Sequence, residues 1–298
     1  MWWPTRQATA PGHGAPARKP SWCLALAVAA TAGSLAVTPA RAVHYDIELR
    51  TSEGPVAGSR ITTDFFGDLN LPGPLPIDAL TGYPIYPAYF GDLEGGPYLT
   101  DDPGFQAFGG TFLRGEEIHF RALGRLQYWD PATGRWGLAP NGVEVVLYGG
   151  IPTHIVIGYV QDPQAWAEQY AYHEQGTRYS REGVTGPPTA VIDDAKANGT
   201  FHAHLDWKVV AAQGAVPRAG AYMVTLSLWS PTLVDGVPKY RSSRPVQVLF
   251  ERGITEAQVR EALAARITPA LPPAGTSPTA RLPRAPWAPP AVSPWAAP

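Results

Sequence analysis

Polar and apolar residues alternate with a period of two along most of residues 43–253. Successive side chains of a β-strand point to opposite faces, so each alternating run predicts a strand with one buried face. The clearest runs are residues 44–49, 117–122, 201–207, 222–229 and 246–250. Many short strands separated by turn residues predict an all-β fold, which we expect to be an antiparallel β-sandwich.

Several segments depart from this period. Residues 143–148 and 155–160 are uniformly apolar, which predicts two central strands that are covered on both faces. Residues 162–174 begin with Asp-Pro and predict a short helix. A last short helix is predicted at residues 254–267, where a Thr-x-x-Gln pattern forms a capping box. Residues 68–90 form a long loop rich in Pro, Gly and Tyr.

The two ends of the chain differ from the middle in composition. Residues 1–42 have a basic start, an apolar run at residues 22–37 and an Ala-Arg-Ala end, the pattern of a secretory signal peptide. Residues 268–298 contain ten prolines and no acidic residue, which predicts disorder. We therefore expect three parts: a signal peptide over 1–42, a β-sandwich domain over 43–267 and a disordered Pro/Ala-rich tail over 268–298.

Export changes the chemistry that is open to the chain. Signal cleavage would remove Cys23, the only cysteine, so the mature protein would have no thiol nucleophile, thiolate ligand or disulfide. The loss of four basic residues would also change the net charge from −2 to −6, and no basic cluster remains that would indicate nucleic-acid binding. We expect a secreted or periplasmic bacterial protein with no membrane span after cleavage, and cell-surface association is left open.

A histidine pair gives the strongest chemical indication in the sequence. On a strand, His202 and His204 share a face with Asp206, because residues i and i+2 point the same way. Neighbouring imidazoles suit Zn or Cu, which favour nitrogen ligands. The first predicted strand also has a polar face, with His44 and Asp46, and His119 lies on the polar face of a third predicted strand. The predicted Zn or Cu ligands are His44, Asp46, His119, His202, His204 and Asp206.

The leading hypothesis is therefore an exported, non-enzymatic protein that buffers or scavenges Zn or Cu. The alternative is a polar face that binds no metal, on a cell-surface structural module or a module that binds glycans or another surface protein. Its contact surface would be aromatic, with the side chains of Trp129, Trp136, Tyr83, Tyr86 and Tyr89.

An enzymatic function is not expected, because the sequence contains no complete catalytic motif. Residues 173–174 begin like a zinc-protease motif, but Thr177 stands where its second histidine belongs. The acidic loop 101–105 suits Ca²⁺ less well than it suits a Pro-Gly turn capped by Asp. A copper oxidative enzyme would need His44 as the first mature residue, whereas cleavage after residue 42 would leave Val43 first.

Six short segments, taken in order, carry a resemblance to a known group of proteins. They are His44-Tyr45-Asp46-Ile47, residues 101–105, residues 123–130 with Trp136, residues 199–204, residues 220–226 and residues 243–246. Together they resemble secreted bacterial β-sandwich proteins, many of which end in a PEP-CTERM sorting tail. The resemblance implies an exported β-sandwich, and some similar proteins are associated with the control of zinc starvation. This chain lacks the Pro-Glu-Pro motif and the apolar anchor of those tails.

Overall fold

The computed structural model describes residues 45–67, 74–91 and 96–267. The predicted signal peptide, His44 and the predicted Pro/Ala-rich tail lie outside these residues. The described part of the chain consists mostly of strands, with three α-helices, which are α1 (Thr153–Gly158), α2 (Pro163–Gln175) and α3 (Glu256–Ile267). Among the described residues, no helix is both long enough and apolar enough to cross a membrane.

The strands are short, apart from two that run through the largest sheet. The first nine in chain order are β1 (Tyr45–Thr51), β2 (Ile61–Gly67), β3 (Ile85–Tyr89), β4 (Leu99–Thr100), β5 (Gly104–Ala107), β6 (Glu117–Asp130), β7 (Arg135–Leu138), β8 (Val143–Tyr148) and β9 (Thr177–Tyr179). The others are β10 (Val184–Thr185), β11 (Thr189–Asp194), β12 (Phe201–Ala203), β13 (Asp206–Ala211), β14 (Gly220–Trp229), β15 (Leu233–Val234), β16 (Val237–Pro238) and β17 (Val246–Arg252).

The strands form three larger sheets and one small hairpin. Their orders are β12-β5-β1-β2, β10-β9-β8-β13-β4 and β11-β6-β14-β17-β3, with β7 beside β6 and β15 beside β16. The all-β prediction is confirmed, and most strand pairs are antiparallel. The β1–β5 and β3–β17 pairs are parallel, so the prediction of antiparallel pairing is wrong there. Each of these pairs joins strands far apart in sequence, which leaves room for the long connection that parallel pairing requires.

One apolar core contains side chains from all three larger sheets, including Ile47, Phe120 and Trp207. Along β6 the predicted alternation is observed, because Ile118 and Phe120 are buried between more exposed neighbours. On β1, polar and apolar residues alternate in the sequence, but buried and exposed side chains do not alternate in the structure. Residues 45–49 are all buried, so the polar side chains in this segment are removed from water.

Two predicted strands differ from the structure. Residues 155–160 lie in or just after α1, which follows Pro152, and most of their apolar side chains are exposed. A short apolar run fits a helix as well as a strand, and here Gly149 and Gly150 end β8 first. The run 201–207 is divided between β12 and β13, which lie in different sheets.

The helices predicted near residue 162 and residue 254 are both present. The Asp162 side chain accepts a hydrogen bond from the Ala165 amide at the start of α2, at 2.9 Å. Before α3, Thr255 and Gln258 exchange the hydrogen bonds of a capping box. The indole of Trp136 donates to the carbonyl of Ala262, which attaches α3 to the largest sheet.

Candidate metal centre

The candidate site lies across three strands of the four-stranded sheet. Asp46 is on β1, His202 is on β12, and β5 runs between these strands. Asp46 pairs with Gly104 and His202 pairs with Gln106, so the predicted ligands are separated by one strand. His204 directly follows β12, at the point where the chain leaves this sheet for the next one.

Gly104 lies on β5, between β1 and β12. It allows the side chains of Asp46, from β1, and His204, which follows β12, to meet over β5. A Cβ atom at this position would be 2.2 Å from Oδ1 of Asp46 and 2.6 Å from Cε1 of His204. Both distances are far below van der Waals contact, so any side chain here would displace one or both groups. The absence of a side chain on Gly104 therefore creates the space in which Asp46 and His204 approach each other.

The three side chains converge on one point. The Nε2 atoms of His202 and His204 are 3.0 Å apart. Nε2 of His202 lies 3.4 Å from Oδ2 of Asp46, and Nε2 of His204 lies 3.6 Å from Oδ1. Two ligands of a tetrahedral zinc ion with bonds of about 2.0–2.1 Å are about 3.3 Å apart. The spacing of the donor atoms therefore matches the edges of such a coordination shell.

Asp46 has an unusual environment for a carboxylate. Its side chain is 1% exposed, and within the described part of the chain neither oxygen has a hydrogen bond. No Lys or Arg of the described residues lies within ion-pair distance of it, and the side chains that approach its oxygens there are the two imidazoles. A buried ionised carboxylate without hydrogen bonds is costly unless a cation compensates its charge.

The other ring nitrogen of His204 faces the acidic loop. Nδ1 lies 3.0 Å from the carbonyl oxygen of Asp101, and the carboxylates of Asp101 and Asp102 lie 3.6 Å and 3.9 Å from it. A proton on Nδ1 donated to that carbonyl leaves the lone pair on Nε2, directed toward Asp46. Metal-binding histidines commonly have this second hydrogen bond. Sequence reasoning treated loop 101–105 as a separate turn and missed this contact.

The remaining predicted ligands lie elsewhere or outside the described residues. Asp206 begins β13 in the five-stranded sheet, where burial and the nearby Asp101 raise the pKa of its carboxyl. The metal-ligand groups found among the described residues do not include it. His119 lies on β6, with its Nε2 2.9 Å from Oε2 of Glu117. His44 lies outside the described residues.

The aromatic residues of the alternative interpretation do not form an exposed surface. Trp129 is 1% exposed, and Tyr86 is fully buried. Trp136 pairs with Trp129 across the β6–β7 hairpin, and its indole is directed to α3. These rings stabilise the sheet and the helix packed against it.

Comparison with known proteins gives no match. No family model matches the chain, and neither do the curated proteins or the solved structures. The resemblance to secreted bacterial proteins with sorting tails therefore stays a prediction. The function of the chain is therefore inferred from the geometry of the site.

Proposed function

We propose that this protein reversibly binds one divalent transition-metal ion, zinc or copper, through Asp46, His202 and His204. The observation that carries the proposal is the buried Asp46 carboxylate, which has no hydrogen bond within the described part of the chain and faces two imidazole nitrogens. A metal ion at their common centre would compensate the carboxylate charge and bind both nitrogens.

The ligand types favour zinc or copper over calcium. Two imidazoles and one carboxylate give a nitrogen-rich set, whereas calcium takes six to eight oxygen ligands. Two histidines and one carboxylate also suit Fe(II), so the metal that binds best has to be measured. Zinc is our first expectation because the donor spacings fit a tetrahedral ion.

The site is accessible from one side. The His202 side chain is 48% exposed, while Asp46 is buried beneath it. Three protein ligands leave a fourth position for water, unlike closed structural sites with four protein ligands. An open, partly exposed site is consistent with reversible binding, and we propose that it buffers or scavenges the metal in the extracytoplasmic compartment that the predicted signal peptide indicates.

The scaffold suits a preformed site. We propose that the sheets pack face to face as a β-sandwich, since a single core contains side chains from three of them. Rigid strands hold ligands more precisely than loops do. The glycan-binding alternative has less support, because Trp129 and Tyr86, which it needs on the surface, are buried.

A zinc titration of the chelator-treated protein, with binding measured by calorimetry, tests the proposal. The wild-type chain, the variant His202→Ala/His204→Ala and the matched control His173→Ala would be compared. His173 is exposed, and its Nδ1 lies near the carbonyl of Gly149 rather than a carboxylate, so its loss should not affect zinc binding. We expect the double variant to lose more than about 100-fold in zinc affinity.

The contradicting outcome is also clear. If the folded double variant binds zinc as tightly as the wild type, these histidines are not ligands. If the wild type binds neither zinc nor copper, the proposed function is wrong. Circular dichroism of every variant separates loss of binding from loss of folding.

A further inference from the structure

A second group of metal-ligating side chains lies where β6 begins, β11 ends and α1 begins. His154 belongs to the first turn of α1, Glu117 is the first residue of β6, and Asp193 and Asp194 end β11. Nδ1 of His154 lies 2.8 Å from Oδ1 of Asp194, and its Nε2 lies 3.1 Å from Oε1 of Glu117. Donor atoms of His154, Asp193 and Asp194 all lie within 4.8 Å of one another.

The contacts of His154 are not those of an ordinary hydrogen-bonded histidine. Both ring nitrogens are buried and approach carboxylate oxygens closely, yet neither makes a hydrogen bond of normal geometry within the described part of the chain. A neutral imidazole has one N–H and one lone pair, so it can donate to only one of two carboxylates. In this neutral state the other carboxylate faces the lone pair, and either a cation between them or a second proton on the ring removes the conflict.

The register of the sheet places two carboxylates opposite each other. Asp194 pairs directly with Glu117 across β11 and β6, and a bulge between Val191 and Asp193 shifts this end of the strand. Like charges on directly opposed residues of neighbouring strands destabilise a sheet. Asp193 lies beside this pair and adds a third carboxylate.

In the part of the chain that the structure describes, this group lacks direct contact with a lysine or an arginine. Within the described residues, Glu117, Asp193 and Asp194 have no Lys or Arg at ion-pair distance. Nε2 of His119 lies 2.9 Å from Oε2 of Glu117, the oxygen that is not paired with His154.

We infer that His154, Asp193 and Asp194 form a second divalent-cation site, with Glu117 held against the other ring nitrogen of His154. His119 acts as a positioning residue, because its imidazole orients the Glu117 carboxylate. One nitrogen and several carboxylate oxygens suit a harder ion such as Mn²⁺ better than the nitrogen-rich site around His202 does. This inference does not depend on the proposed function, because the two sites share no residue.

Electron paramagnetic resonance of added Mn²⁺ tests the second site, since binding removes the sharp signal of the free ion. The wild type, His154→Gln and Asp194→Asn would be compared with Asp235→Asn, which changes an exposed aspartate in the β15–β16 turn. The variant His202→Ala/His204→Ala would be included. We expect the wild type to bind one Mn²⁺ per chain. The Mn²⁺ affinity should be unchanged in Asp235→Asn and in His202→Ala/His204→Ala. It should be at least tenfold weaker in His154→Gln and in Asp194→Asn.

Three results would overturn the inference. The first is no Mn²⁺ binding by the wild type at millimolar concentration. The second is unchanged binding in both His154→Gln and Asp194→Asn. The third is loss of binding in His202→Ala/His204→Ala alone, which would assign the ion to the first site. Asp194→Asn keeps the shape of the side chain, so it preserves a test if His154→Gln does not fold.

Discussion

The two candidate sites use the same kinds of side chain in opposite proportions. The first has two imidazoles and one buried carboxylate, Asp46, whereas the second has one imidazole, His154, among three partly exposed carboxylates. In the first, the need for a cation comes from the desolvation of a single charge. In the second, it comes from repulsion between charges on opposed strands. The two proposed sites would therefore arise on one β scaffold by two separate physical routes.

The difference leads to distinct metal preferences. Nitrogen-rich ligands favour zinc and copper, and oxygen-rich ligands favour manganese and similar hard ions. We therefore expect variants of one site to leave the other site's metal unaffected. The following changes test that independence.

The largest expected effect is on zinc-dependent stability. Zinc at about 100 times its Kd should raise the free energy of unfolding by about 2.7 kcal/mol, because it binds the folded state. His202→Ala/His204→Ala should abolish this increase, and His154→Gln should keep it. Thermal melts with and without zinc measure both. The assignment of His202 and His204 as zinc ligands would be contradicted if zinc still raised the free energy of unfolding of the double variant. It would also be contradicted if zinc no longer stabilised His154→Gln.

Asp46→Asn should separate stability from binding. Without metal, this change removes a buried charge that has no hydrogen bond within the described residues, so the free energy of unfolding should rise by about 2 kcal/mol. The same variant should lose the stabilisation by zinc. Chemical denaturation of metal-free protein, with Asp235→Asn as control, provides the measurement. A less stable metal-free variant would show that Asp46 stabilises the fold by another contact.

Gly104→Ala should damage the first site sterically. Its Cβ would be 2.2 Å from Oδ1 of Asp46, so zinc affinity should fall and stability should drop by at least about 1 kcal/mol. The matched control is Gly137→Ala, because a Cβ there would meet nothing within 4 Å. Calorimetry and denaturation of both variants give the comparison. Equal zinc affinities would mean that the space over β5 is not part of the site.

The smallest expected effect is on the second site. His119→Gln removes the imidazole that orients Glu117, so Mn²⁺ affinity should fall by about tenfold. Zinc affinity should stay the same, because His119 is not in the first site. Paramagnetic titration and zinc calorimetry of one preparation test both statements. An equal loss for both metals would point to a general change in the fold.

Part of the first site could be predicted from sequence. A period of two places His202 and His204 on one face, and the two imidazoles are in fact adjacent. The alternation on β1 also placed Asp46 on a polar face. It could not reveal that this face is covered, because burial depends on neighbouring parts of the fold that have no local signal. The role of Gly104 depends on the register of three strands, which the sequence does not specify.

The second site had no signal in the sequence. His154 directly precedes residues 155–160, which were predicted as a strand, and it lies in α1 instead. Glu117 and Asp194 are far apart in the chain, and only strand pairing makes them neighbours. His119 was predicted as a ligand of the first site because its strand face is polar. Its actual neighbours could be found only from the sheet order.

The decisive measurement is the metal content of the protein purified from its native source, determined by plasma mass spectrometry. The variant His202→Ala/His204→Ala, prepared in the same way, serves as the comparison. We expect near-stoichiometric zinc or copper in the wild type and its loss in the folded variant. The absence of both metals from the wild type, or equal amounts in the two proteins, would contradict it.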